Sequence, residues 1–142
     1  MRRLIPVLLG ALALTATACG GGDSSTAPTS VAGTYTLQSV NNAPLPFTTS
    51  QDATYKAEIL SWVMTLNDNN NFTHIFRGRS TDNGQVTEST ITGGGTYTRS
   101  GATVDMYDSS DNSHLQATVS ASTMTVVIDG PDGTFSLRFT RG

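Results

Sequence analysis

The chain has 142 residues, only 13% of them charged, and a formal net charge of −3. That length fits a single domain. The abundance of Thr, Ser, Gly and Asn, with one lysine (Lys56) and two glutamates (Glu58 and Glu88), favours strands and turns over helices. No basic stripe is present to neutralise phosphates, which argues against a nucleic-acid partner.

Residues 1–18 read MRRLIPVLLGALALTATA. Two arginines, an apolar core of 11 residues from Leu4 to Leu14 and a run of small residues form the three-part layout of a secretory signal peptide. The run is too short to span a membrane, which takes about 20 residues. Ala16-Thr17-Ala18-Cys19 then resembles the lipobox of bacterial lipoprotein precursors, with Ala16 where that pattern usually has Leu. The resemblance implies cleavage before Cys19, a diacylglyceryl group on its thiol and an acylated new terminus, the palmitate-type anchoring that holds a protein to a membrane. The alternative is a plain secreted chain with a free thiol. No second cysteine is available for an internal disulfide. A catalytic cysteine in such a tail would have no pocket to lower its pKa. Removal of the leader leaves six basic residues against eleven acidic ones, a net charge of −5. Residues 19–31 carry the anchor cysteine and a Gly/Ser/Thr/Pro linker of flexible composition. The expected address is the cell envelope outside the cytoplasm, on the outer membrane where there is one, because Gly20 is not the Asp that marks inner-membrane retention.

Residues 32–142 form the expected domain. Period-two alternation broken by turn formers predicts strands over Gly33–Val40, Thr54–Leu66, Asn71–Ser80, Gln85–Thr92, Gly95–Arg99, Ala102–Tyr107, His114–Ser120, Thr123–Asp129 and Thr134–Arg141. Asn-Asn, Asn-Gly, Gly-Gly, Ser-Gly and Asp-Gly pairs between them supply hairpin turns. One face is apolar, from Tyr35 and Leu37 through Trp62, Met64 and Leu66 to Phe135, Leu137 and Phe139. The alternation slips once, which predicts a β-bulge near Ile59–Leu60. Gly-Thr-aromatic openings at Gly33, Gly95 and Gly133 read as strand starts. The fold class is all-β, a small antiparallel up-and-down barrel of eight or nine strands, with a sandwich as the other closure.

The stretch from Gly33 to Pro46, GTYTLQSVNNAPLP, resembles the opening of lipocalin-like barrels of the calycin type, especially small bacterial lipoproteins. Gly33-Thr34-Tyr35 stands where lipocalins place Gly-x-Trp. It is also similar to the start of META-domain envelope proteins, whose later Cys-Asn pair is missing here. The resemblance implies a lipocalin-like barrel, monomeric, that binds a small apolar or amphipathic ligand.

No G-x-S-x-G or H-E-x-x-H motif occurs, so no catalytic residues are assigned and the chain is read as a non-enzyme. No cofactor and no metal is assigned either. His74 and His114 lack close ligand-type neighbours, and the Asp105, Asp108, Asp111, His114 run has a period of three, so its members face opposite ways on a strand. In the barrel register, His74 and Arg99 take the inward positions that Leu37 and Leu137 take in related strands. They are therefore candidate ligand-binding residues beside inward Tyr35 and Trp62, with Arg99 able to pair with a ligand carboxylate. The competing reading puts both at a barrel mouth, in water or paired with Glu58, Glu88 or Asp105. A binding module of this type calls for a cavity of at least about 300 Å³. A structural or interaction protein would instead fill its barrel with its own side chains.

Overall fold

The computed structural model describes residues 28–130 and 133–142. The predicted signal peptide, the lipobox and Cys19 lie outside the described residues.

Ten strands follow one another: β1 (Gly33–Val40), β2 (Ala43–Pro44), β3 (Phe47–Gln51), β4 (Tyr55–Leu66), β5 (Asn71–Asp82), β6 (Gln85–Ser100), β7 (Thr103–Asp108), β8 (Ser113–Ser120), β9 (Thr123–Gly130) and β10 (Gly133–Arg141). From β4 to β10 every strand pairs antiparallel with the next. β1 then pairs with both β10 and β4, which closes an eight-stranded up-and-down barrel. This is the lipocalin-like architecture expected from the sequence. The two extra strands fill a seam. β4 touches β1 only through Val63–Leu66, and β3 takes its place along Lys56–Ile59.

Turn chemistry sets the register. Asn41 and Asn42 both have positive φ between β1 and β2, as do Asn83 and Gly84 between β5 and β6, the demand of two-residue hairpin turns. The expected bulge is present. The β4–β5 register shifts between Ile59 and Ser61, which bends β4 and swings its first half away from β1. One boundary differs from expectation. Gln85–Thr92 and Gly95–Arg99 are a single strand of 16 residues, with Gly93–Gly95 inside it. These glycines serve close approach and make no turn. A Cβ on Gly95 would lie 1.9 Å from the Tyr107 carbonyl oxygen, and one on Gly94 would lie 2.4 Å from that of Phe72.

The inward residues pack as the alternation predicts. Tyr35, Val40, Met64, Met106, Val119, Met124, Val126 and Phe139 are buried almost completely, and each such side chain contributes about 1.5–3 kcal/mol. The core fills the barrel from its base to its middle. At the base, the Tyr97 hydroxyl donates to the Asn67 carbonyl (2.7 Å) and the Arg141 amide to that of Ser122 (2.7 Å).

Above the bulge, β3–β6 extend past the rest of the barrel. β7 pairs only with Gly95–Ser100 of β6, so Gln85–Gly94 has a strand on one side alone. Glu58 lies buried in this extension between Lys56 Nζ (2.6 Å) and Arg79 Nη2 (2.9 Å). Hydrogen bonds from Arg79 and Lys56 hold its carboxyl below the ordinary value against the opposing effect of burial. Its contribution to stability is therefore complete above the ordinary glutamate value of about 4.3 and is lost as pH falls through the lowered folded value. Amide exchange at Lys56–Ile59 is expected to speed up over that acid window, and Glu58→Gln is expected to abolish the pH-dependent step. An identical acid step in the variant would contradict this assignment.

Candidate functional site

The upper end of the barrel, under the β7–β8 turn, holds an interior cavity of about 120 Å³. Trp62 and Met64 reach it from β4, Phe72 and His74 from β5, Met106 and Asp108 from β7, and Ser113 and Leu115 from β8, with Asp111 from the turn. Period two places these groups together. Met64 stands opposite His74 in the β4–β5 ladder, and Trp62 stands opposite Phe76. Asp108 follows Val104 and Met106 on the same inward face.

The polar centre is the His74–Asp108 pair, with His74 Nε2 2.7 Å from Asp108 Oδ2. Burial opposes the charge on Asp108. Hydrogen bonds from the Ser110 hydroxyl (2.5 Å) and amide (2.8 Å), and from His74, outweigh it and hold the carboxyl below the ordinary aspartate range. An ionised carboxylate only accepts, so Nε2 carries the proton in this bond and Nδ1 is the ring nitrogen left for another partner. That Nδ1 is buried with no partner, and so is Trp62 Nε1. A bare strand makes room for the pair, because a Cβ on Gly93 would lie 2.4 Å from His74 Nε2 and 2.8 Å from Asp108 Oδ2.

Of the four residues expected to bind a ligand, the structure brings two together. Trp62 and His74 line the cavity, with ring centroids 6.0 Å apart. Tyr35 is inward, as expected, but sits at the base, where its hydroxyl donates to the Val31 carbonyl (2.9 Å). Its pKa is raised, by burial first, with Arg141 opposing. Arg99 corrects the sequence reading. It lies one step past the last inward layer, where the register has no interior left to face, and its side chain is exposed. Its guanidinium donates to the carbonyls of Gly101 (2.8 Å), Thr29 (3.2 Å) and Pro28. Arg141 likewise donates to the Ser30 carbonyl (3.1 Å). Two arginines thus fasten the incoming linker to the base, at the opposite end from the cavity. His74 pairs with Asp108, not with Glu58, Glu88 or Asp105.

Asp108, Phe72, Met64 and Met106 join the site without having been singled out for it. Asp108 carried a readable signal, since it continues the Val104–Met106 inward register just as His74 continues that of Phe72. Asp105 faces the opposite way, as the period-three argument required. Its Oδ1 accepts from Gln116 Nε2 (2.7 Å) on the outside. The cavity is well below the expected 300 Å³. A larger hollow of about 360 Å³ is an open groove among the upper parts of β3–β6, lined by Tyr55, Ala57, Ile59 and Phe76.

Replacement of Arg99 by Ala is expected to leave the cavity untouched while exposing residues 28–32 to proteases. Limited proteolysis should therefore show faster cleavage just before the barrel. Unchanged cleavage would contradict the fastening role.

No family model matches the chain, nor does any curated protein or any solved structure.

Proposed function

We propose that this chain is a lipid-anchored cell-envelope protein whose barrel binds a compact ligand in the cavity beside His74 and Trp62. One observation carries the binding reading. An unfilled space lies beside Trp62 and His74, each of which has a buried ring nitrogen without a partner. A buried polar atom without a hydrogen bond costs about 1–3 kcal/mol, and a ligand bonding to it removes that cost. Volume limits the ligand. A cavity of about 150 Å³ accepts benzene, so 120 Å³ suits a molecule of about six non-hydrogen atoms or fewer. A retinoid-sized guest does not fit.

The anchor part rests on the leader and on Ala16–Cys19. The linker arrives at the base, so an anchored barrel would hold its cavity end away from the membrane. Eight residues lie between Cys19 and Pro28, and the nine Cα–Cα steps reach at most about 30 Å. Cys19→Ala is expected to move the protein from the membrane to the soluble fraction, and persistent membrane association would refute the anchor. For the cavity, pyrazole, with five non-hydrogen atoms, one N–H donor and one acceptor nitrogen, is expected to perturb the emission of Trp62, the sole tryptophan, in a saturable way. Ser113→Phe, which fills the mouth, is expected to abolish that response. A linear, unsaturable response in the parent protein would refute the site.

A second reading, a non-enzymatic interaction protein, is favoured by the free edge of β6. Gln85–Gly94 pairs with β5 on one side and with no other described strand, and residues 85–92 are exposed. Such an edge can accept a partner strand.

A further inference from the structure

We propose that the cavity is a site for a soft monovalent metal ion, Cu(I) or Ag(I), held by His74 Nδ1 and the thioether sulfurs of Met64 and Met106, with Trp62 beside it. This deepens the reading of the barrel as a binding module and rests on it.

Metal-bound histidines as a rule donate their second ring N–H to a carboxylate or carbonyl, which fixes the ring and strengthens the ligating nitrogen. His74 already has that arrangement. Nε2 is tied to Asp108 at 2.7 Å, Asp108 is itself fixed by Ser110, and Nδ1 is left buried and unpartnered. A histidine kept only for packing would not need its carboxylate anchored by two further hydrogen bonds.

Met64 faces His74 directly across the ladder, and Met106 lies one inward step from Asp108 on β7. Both are buried and both line the cavity. Thioethers are soft donors, and softness favours Cu(I) over Zn(II), Ca(II) or Mg(II). Methionine side chains are also flexible enough to close on an ion. Hard or borderline ions have no such set, because among the described residues no group of three His, Cys, Asp or Glu could hold a metal.

Size and charge agree. The space of about 120 Å³ is large enough to hold a single bare ion. Asp108 and Asp111 line the space without any lysine or arginine, and the aromatic face of Trp62 attracts a cation.

The test uses the full chain carrying Cys19→Ala, so that no thiol competes. Trp62 is the sole tryptophan and reports the site locally. Titration with Ag(I) is expected to quench its emission to saturation at one equivalent, while Zn(II) leaves it unchanged. Met64→Leu and Met106→Leu, which conserve volume, are each expected to weaken Ag(I) binding at least about tenfold. Asp108→Asn is expected to weaken it about 10–100-fold, and His74→Leu to remove saturable binding. Unsaturable quenching, parent-like affinity in both methionine variants, or an equal response to Zn(II) would each overturn the metal site. Pyrazole separates the two levels. If pyrazole saturates and Ag(I) does not, the metal site falls and the binding module stands. If neither saturates, both fall.

Discussion

Gly95→Ala is expected to cost about 3 kcal/mol or more, the upper part of the overpacking range, out of a total that for a domain of this size is about 5–15 kcal/mol. The added methyl would lie 1.9 Å from the Tyr107 carbonyl oxygen and 3.1 Å from the Ser109 amide nitrogen. Both are backbone atoms, so no rotamer change relieves the contact. The β6–β7 ladder, which pairs Gly95 with Asp108, has to part at the point where the barrel turns its upper corner. Urea denaturation should show the loss as a lower midpoint. Thr92→Ala, three residues away and exposed, is expected to change stability by no more than about 0.5 kcal/mol. Equal midpoints for the two variants would contradict the close-approach role of the glycines. Gly93→Ala should behave differently again. Its methyl meets the ends of side chains, His74 and Asp108, so it is expected to damage the site more than the fold.

Phe139→Ala is expected to cost about 3–5 kcal/mol, the cost of an aromatic removed from a packed core. Phe139 is fully buried and meets the Trp62 ring edge-on, with centroids 5.9 Å apart. The vacancy would open beside one wall of the cavity, so the loss of stability should come with a changed Trp62 emission maximum. The urea slope should stay the same, since the exposed area on unfolding barely changes. A cost below about 1 kcal/mol would mean that the neighbours collapse into the space and that the core is not the rigid filling described above.

Most of the barrel was legible because antiparallel strands with one buried face carry a period-two signal that survives without any alignment. Tyr35, Met64, Val104, Val126 and Phe139 all face inward where the alternation puts them. The bulge at Ile59–Ser61 was legible for the same reason, since an inserted residue flips the phase. What the alternation does not encode is where the interior ends. Arg99 is in perfect phase with Tyr97 and still lies outside, because a strand can run on past the last packed layer. Gly93–Gly95 misled in a related way. Glycine marks both turns and close backbone approach, and only the neighbouring strands tell which. β2 and β3 were missed because they fill a seam that exists only once β4 has bent away from β1. At the site, His74 and Trp62 were found from their phase, and Asp108 was overlooked in a stretch that reads as a polar hairpin tip. The size of the cavity was out of reach, since it depends on how side chains from four strands and a turn share one volume.

The most direct test of the binding account is native mass spectrometry of the mature protein purified from its own cells. The account predicts a second species whose excess mass is that of one small ligand or one metal ion. It should be absent from His74→Leu and sharply reduced in Asp108→Asn. A single species at the polypeptide mass, with no adduct after gentle purification and after incubation with Ag(I) or pyrazole, would contradict it.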